Sequence, residues 1–202
     1  MIAIVNYGVG NLFSLSCSFQ KIGAEAVITS DEEVIRKADK LILPGVGAVR
    51  DAAEKLKTTG LGALVCQQAK AGKPLMGICL GMQLLFEKSF EYGEHEGLGL
   101  LKGNVVPMQG YLDESLKIPH IGWNALRFTK PSPLFRYNKE GDFVYFVHSY
   151  FATDCEDSVV ATTEYGKPLT AAVQKDNVMG CQFHPEKSGE AGLRILRAFC
   201  DF

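Results

Sequence analysis

Cys79 stands between two glycines in the stretch GICLGMQLLF, residues 77–86, directly after the apolar residues Leu75 and Met76. A buried cysteine is ordinarily an inert small hydrophobe, so the setting carries the meaning. A strand ending at Ile78, a sharp turn at Cys79 and a helix opening at Leu80 would lift the sulfur to the carboxyl edge of a sheet and onto a helix N-terminus. There the dipole and free N–H groups favour thiolate. Gly77 and Gly81 are expected to let the backbone take this strained turn without Cβ clashes. The N–H of Leu80, next after the sulfur, would face a developing oxyanion. A glycine-rich packing turn around a core cysteine fits the same five residues, so the motif needs companions.

A thiolate nucleophile needs a base, and the chain has four histidines: His95, His120, His148 and His184. His184, in CQFHPEKSG (residues 181–189), is the best placed. It follows an apolar strand and so falls at the same sheet edge, with Pro185 stiffening the turn. Glu186, two residues on, is positioned to accept the ring's other N–H, set the tautomer and stabilise imidazolium. A pair that merely caps the following helix is the alternative. A third strand end, LPGVGAVRD (residues 43–51), offers glycines that free the backbone to approach a ligand. The N–H of Val46 or Gly47 would complete an oxyanion pair with Leu80, and losing one such donor costs ~10²–10³ in rate. A plain strand-to-helix turn is again the alternative.

The elements that must position these residues follow from hydrophobic periodicity. Ile2–Val5, Glu25–Thr29, Lys40–Gly45 and Pro74–Ile78 read as short, mostly apolar strands. They alternate with helical patterns over Leu12–Gly23, Ser30–Asp39, Ala48–Leu56, Leu61–Ala71 and Leu80–Ser89. Within the first helix Leu12, Leu15, Ser16, Phe19 and Ile22 share a face. Apolar strands alternating with helices imply a parallel sheet covered on both faces. The second half reads as strands joined by turns: GNVVPM, WNALRFT, DFVYFVHSYF, SVVATTEY, PLTAAVQK and NVMGCQF. A closing helix follows in SGEAGLRILRAFC, with Leu193, Leu196, Ala198 and Phe199 toward the core. The expected fold is α/β, an open, mostly parallel central sheet flanked by helices, with an added antiparallel portion, in one domain over residues 1–202.

Bulk composition narrows the classes. With 47% hydrophobic and 22% charged residues the chain can bury a core, and disorder is not indicated. A net charge of −2 speaks against a nucleic-acid binder, which usually carries a basic stripe. No apolar run approaches the roughly 18 residues of a membrane helix, and the start MIAIVNYGVGN lacks the basic region of a signal peptide. The six cysteines show neither zinc spacing nor a C-x-x-C pair, which reads as reduced thiols in the cytoplasm. No metal or organic cofactor is indicated.

PGVG, GICLGMQLLF and HPEKSG, in this order and all at strand ends, resemble the class I, triad-type glutamine amidotransferases. NYGVGNLFSL, PHIGWN, YFVHSY and HPEKSGEAGLRIL narrow the likeness to the glutaminase subunits of imidazole glycerol phosphate synthase, over essentially the whole chain. Relatives in pyridoxal phosphate synthesis differ, with a Gly-Gly-Glu-Ser stretch in place of PGVG. The resemblance implies a triad of Cys79, His184 and Glu186. It implies that Gly45, Val46, Gly47 and Leu80 line the oxyanion and substrate site. Gln83 and the backbone of His148, Ser149 and Tyr150 would hold L-glutamine, with Glu91 facing its ammonium. Asn11, Trp123 and Lys187 would face a (β/α)₈ cyclase partner and the ammonia passage. The chain itself has no phosphate-binding G-x-x-x-x-G-K-[ST] motif, so the acceptor reaction falls to the partner. Three other readings remain at this point: a glutaminase serving anthranilate or aminodeoxychorismate synthesis, a cysteine peptidase or γ-glutamyl hydrolase, and an inactive α/β binding module.

Overall fold

A computed structural model describes all 202 residues. In chain order the elements are β1 (Ile2–Val5), α1 (Leu12–Lys21), β2 (Ala26–Thr29), α2 (Glu32–Lys37), β3 (Lys40–Leu43), α3 (Val49–Thr58) and α4 (Leu61–Lys70). Then come β4 (Leu75–Ile78), α5 (Leu80–Gln83), β5 (Lys88–Ser89), β6 (His95–Glu96), β7 (Asn104–Pro107) and β8 (His120–Phe128). The last are β9 (Phe143–His148), β10 (Tyr150–Thr153), β11 (Val159–Tyr165), β12 (Lys167–Lys175), β13 (Val178–Cys181) and α6 (Gly189–Cys200).

The main sheet has the order β2-β1-β3-β4-β13-β12-β11-β8-β9. Its first five strands are parallel and its last four join antiparallel. This is the expected α/β architecture with its antiparallel extension. β1 and β4 are buried along their whole length, as strands covered on both faces must be. Their side chains divide by the two-residue period of a strand. Ala3, Val5, Leu41, Leu43 and Leu75 pack with Ile35, Leu56 and Val65 of α2, α3 and α4. Ile2, Ile4, Ile42, Met76 and Ile78 pack with Leu15 and Phe19 of α1 and Ile195, Leu196 and Phe199 of α6.

Three expectations change. The helix expected over Leu80–Ser89 is helical only to Gln83. The carbonyls beyond it are taken from a distance: Leu98 N–H donates to Leu84, Leu100 N–H to Leu85, Gly99 N–H to Phe86 and Gly97 N–H to Glu87. Leu84, Leu85 and Phe86 are consequently all buried in a turn, where a helix would have turned one of them outward. The strand expected through Tyr150 breaks at Ser149, and its halves enter different sheets, since β10 pairs β7 in a four-stranded sheet with β5 and β6. In α6, Leu193 is half-buried and Ile195 takes the core position.

Candidate active site

Three adjacent parallel strands, β3, β4 and β13, end at one edge of the sheet. That edge is where open α/β sheets bind ligands. The loop after β3 carries Gly45–Gly47, the turn after β4 is Cys79, and the turn after β13 carries His184 and Glu186.

Cys79 has φ 54° and ψ −111°, a conformation that costs a non-glycine residue roughly 1–3 kcal/mol. Its N–H donates to the Cys181 carbonyl at 2.8 Å, which continues the β4–β13 pairing into the turn. The strain sits on the cysteine itself, and the flanking glycines serve another purpose. A Cβ on Gly81 would overlap the Leu43 carbonyl oxygen, and one on Gly77 would lie 2.6 Å from the Gly81 carbonyl oxygen. They let the turn drop onto β3 and α5 fold back over β4, which leaves Cys79 8% exposed at the floor of a cavity.

His184 is buried, and its Nδ1 lies 2.8 Å from Glu186 Oε1, with both side chains almost wholly enclosed. Burial opposes a charge on the ring, but the Cys79 and Glu186 side chains flanking it more than offset this and raise its pKa above the ordinary histidine range. The turn is clamped from β9. The His184 N–H donates to the Tyr145 carbonyl at 3.0 Å, the Tyr145 N–H to Ser188 Oγ at 2.9 Å, and the Ser188 hydroxyl to the His184 carbonyl at 2.6 Å.

A cavity of about 550 Å³ opens over Cys79 and His184. Val46, Gly47, Leu80, Gln83, Glu91, His148, Ser149 and Tyr150 all line it. Gly45 lies behind the wall, where a Cβ would meet Leu80 Cβ and Tyr7 Oη at 2.9 Å. The Val46 and Gly47 N–H groups have no partner within the chain. Glu91 Oε2 accepts from the Val49 N–H at 2.5 Å, so it also caps α3, and burial raises its pKa against that bond. Gln83 Nε2 donates to the Tyr150 carbonyl at 3.1 Å and to Gln182 Oε1 at 3.0 Å, which leaves Oε1 as its free polar atom.

Trp123 and Lys187 lie outside the cavity and meet around Tyr145. The Trp123 ring is 6.0 Å from it edge-on, and Lys187 Nζ is 5.8 Å from its centre. On the β8–β9 ribbon Ile121, Trp123 and Phe143 are 58%, 51% and 59% exposed. Asn11 precedes α1, half-buried, with no side-chain capping bond.

Several cavity residues carried no usable sequence signal. Tyr92, Gln109 and Ile118 come from loops without periodicity. Tyr7 donates to the Pro44 carbonyl at 2.6 Å and holds the loop after β3. Gln182 did have a signal: it stands two residues before His184, the spacing of neighbours on one face of a strand. It is fully buried, and its Nε2 lies 3.7 Å from Cys79 Sγ.

Residues 3–201 match the family model for glutamine amidotransferase class-I. The chain is 52% identical to imidazole glycerol phosphate synthase subunit HisH of Lactococcus lactis, over 99% of this chain and 98% of that one. It is 49% identical to the same subunit of Aquifex aeolicus, over 97% and 94%. Among solved structures, a glutamine amidotransferase crystal structure superposes with a TM-score of 0.77 at 20% identity, covering 100% of this chain and 98% of that one. The structure of PurLQS from Thermotoga maritima gives 0.76 at 22%, covering 99% and 97%. At those identities the structures bear on the fold alone, and family membership rests on the sequence matches. The chain belongs to the class-I glutamine amidotransferases and, among them, to the HisH subunits of imidazole glycerol phosphate synthase.

Proposed function

We propose that this chain is the glutaminase subunit of an imidazole glycerol phosphate synthase, hydrolysing L-glutamine through a Cys79 thioester and supplying ammonia for histidine biosynthesis. The observation that carries the reading is the buried His184–Glu186 pair at 2.8 Å, set beside a cysteine held on a strained turn over a cavity. Glu186 fixes the ring so that Nε2 serves the sulfur. The Cys79 thiolate attacks the side-chain amide carbon of glutamine. The N–H groups of Leu80 and of Val46 or Gly47 hold the oxyanion. The C–N bond breaks as His184 gives its proton to the departing ammonia, which leaves a γ-glutamyl thioester. Water then attacks the thioester, its proton passes to His184, and glutamate leaves as the C–S bond breaks. The substrate's ammonium fits the free oxygens of Gln83 and Glu91, and its carboxylate the backbone of His148, Ser149 and Tyr150.

The 202 residues act as one domain in the cytoplasm, in a heterodimer with a (β/α)₈ cyclase that receives the ammonia and performs the lyase step. The exposed apolar ribbon of Ile121, Trp123 and Phe143, with Lys187 beside it, suits that partner, and Asn11 is assigned to the same partner. Among the chain's own elements no helix is long and apolar enough to cross a membrane.

The test is glutamate release by the purified chain, alone and with a histidine-pathway cyclase subunit carrying its nucleotide ligand. A large increase in the complex is expected, with Cys79→Ala inactive under both conditions but still folded and able to bind its partner. Appreciable hydrolysis by Cys79→Ala would remove Cys79 as the nucleophile, and an unchanged rate on adding the cyclase would move the ammonia to another synthase.

A further inference from the structure

We infer that Gln182 is a further catalytic residue, a hydrogen-bond donor aimed at the Cys79 sulfur through an amide relay whose direction the fold dictates. The inference rests on the reading of Cys79 as the nucleophile. The relay starts at a group with no choice of role. The Tyr150 carbonyl can only accept, so the Gln83 carboxamide must present its NH₂ there, at 3.1 Å. The second hydrogen of that NH₂ points to Gln182 at 3.0 Å, so Gln182 must present Oε1. The Gln182 NH₂ is then turned to Cys79 Sγ, at 3.7 Å. Reversing either amide would set donor against donor or acceptor against acceptor in a buried site, at a cost of about 1–3 kcal/mol.

The donor serves the sulfur in two steps. Before attack it holds the thiolate in one orientation, opposite in role to His184, which must be free to release its proton to ammonia. During hydrolysis of the thioester, water adds to the carbonyl carbon and its proton goes to His184. The C–S bond then breaks with its electron pair returning to sulfur. The Gln182 N–H is already in place for that returning charge, so no reorganisation is needed. The other end of the relay leaves Gln83 Oε1 as the atom free toward the cavity, held there jointly by the Tyr150 carbonyl and Gln182 Oε1.

Two variants separate these duties. Gln182→Glu keeps an acceptor for Gln83 but removes the donor to sulfur. Its kcat is expected to fall about 10-fold or more, as losing a hydrogen bond to a charged group predicts, with KM within roughly twofold. Gln182→Leu removes both, and is expected to show the same loss in kcat together with a several-fold rise in KM. Alkylation of Cys79 by iodoacetamide near neutral pH should slow in both. Melting curves establish that the variants are folded. Folded variants with wild-type kcat and wild-type alkylation rates overturn the inference and leave Gln182 a packing residue. A wild-type measurement covers the case in which neither variant folds. Alkylation converts the sulfur to a thioether, a poor acceptor, and should shift the Gln182 side-chain amide signals in an NMR spectrum; unmoved signals overturn the inference equally. If Cys79→Ala retains hydrolysis, the failure lies with the nucleophile and not with Gln182.

Discussion

His120 and His148 form a buried pair beside the cavity, and acid should destabilise the protein through it. His120 Nδ1 lies 3.0 Å from His148 Nε2, His148 Nδ1 is 2.9 Å from the Tyr150 carbonyl, and His120 Nε2 is 2.8 Å from Asn124 Oδ1. Asn124 Nδ2 is engaged with the Glu164 carbonyl at 3.0 Å, which turns its oxygen to His120. Satisfying all three ring contacts takes three protons, and two neutral imidazoles carry two. The pair therefore either holds a positive charge or tolerates one contact of acceptor on acceptor. Magnitudes decide. A buried cation without a carboxylate costs several kcal/mol, and no acidic group acts on either ring. The stacked rings of Phe146 and Tyr165 beside His120 return about 1–2 kcal/mol to a cation. One mismatched contact costs about 1–3 kcal/mol. The neutral pair wins, in line with burial, which lowers the pKa of His120 and pushes that of His148 down to about 3. The folded state thus refuses a proton that the unfolded chain takes below about pH 6.5, so stability falls on acidification through that window. For His148 alone the loss from pH 7 to pH 5 is about 2 kcal/mol. Urea unfolding at the two pH values measures it, and His148→Gln should lack this component. A wild-type-minus-variant difference that is flat over the window, or that rises with acid, would refute the neutral pair. Asn124→Asp should reverse the sign: a carboxylate beside His120 raises its pKa, so that contribution is full at low pH and is lost as pH rises through the raised value.

Other perturbations test the frame around the site. Gly81→Ala places a Cβ on the Leu43 carbonyl oxygen, a backbone atom of the central sheet that cannot give way. The loss should exceed ~4 kcal/mol, read as insoluble protein or a melting temperature lowered by more than about 10 °C; a near-native melt would mean the turn can lift off β3. Asp31→Ala removes the side chain that accepts from the Glu33 and Val34 N–H groups at the start of α2. A cost of about 1 kcal/mol is expected in urea unfolding, with glutaminase activity unchanged. Cys17→Ala and Cys200→Ala should keep activity within a few-fold, and abolished activity in either would point to a different essential thiol.

Elements whose partners are local are legible in the sequence, and those with distant partners are not. The strands β1, β3 and β4 are short apolar runs because both faces are covered, so they can be read directly, and with them the edge on which Cys79 and His184 sit. The end of α5 cannot, because Leu84–Glu87 give their carbonyls to the N–H groups of Gly97–Leu100, well beyond the reach of a helical turn. The glycines around Cys79 are conspicuous by their spacing, yet spacing suggests relief of strain at the cysteine rather than close approach of backbone. The Leu43 carbonyl that makes Gly81 necessary belongs to another strand. That contact has a consequence for the site. Because Gly81 seats the cysteine turn directly on the end of β3, the loop that follows Leu43 and the turn that carries Cys79 share one backbone contact. The loop carrying Val46 and Gly47 is thereby tied to the cysteine turn through main chain at Gly81 and through the Tyr7 hydroxyl on the Pro44 carbonyl. His184 reaches the same point by another rigid route, through the Cys79 N–H to the Cys181 carbonyl and the Tyr145–Ser188 clamp. The clamp runs along β9, whose outward face carries Tyr145 between Trp123 and Lys187. A partner pressing on that ribbon would therefore act on the turn that holds His184 through two hydrogen bonds.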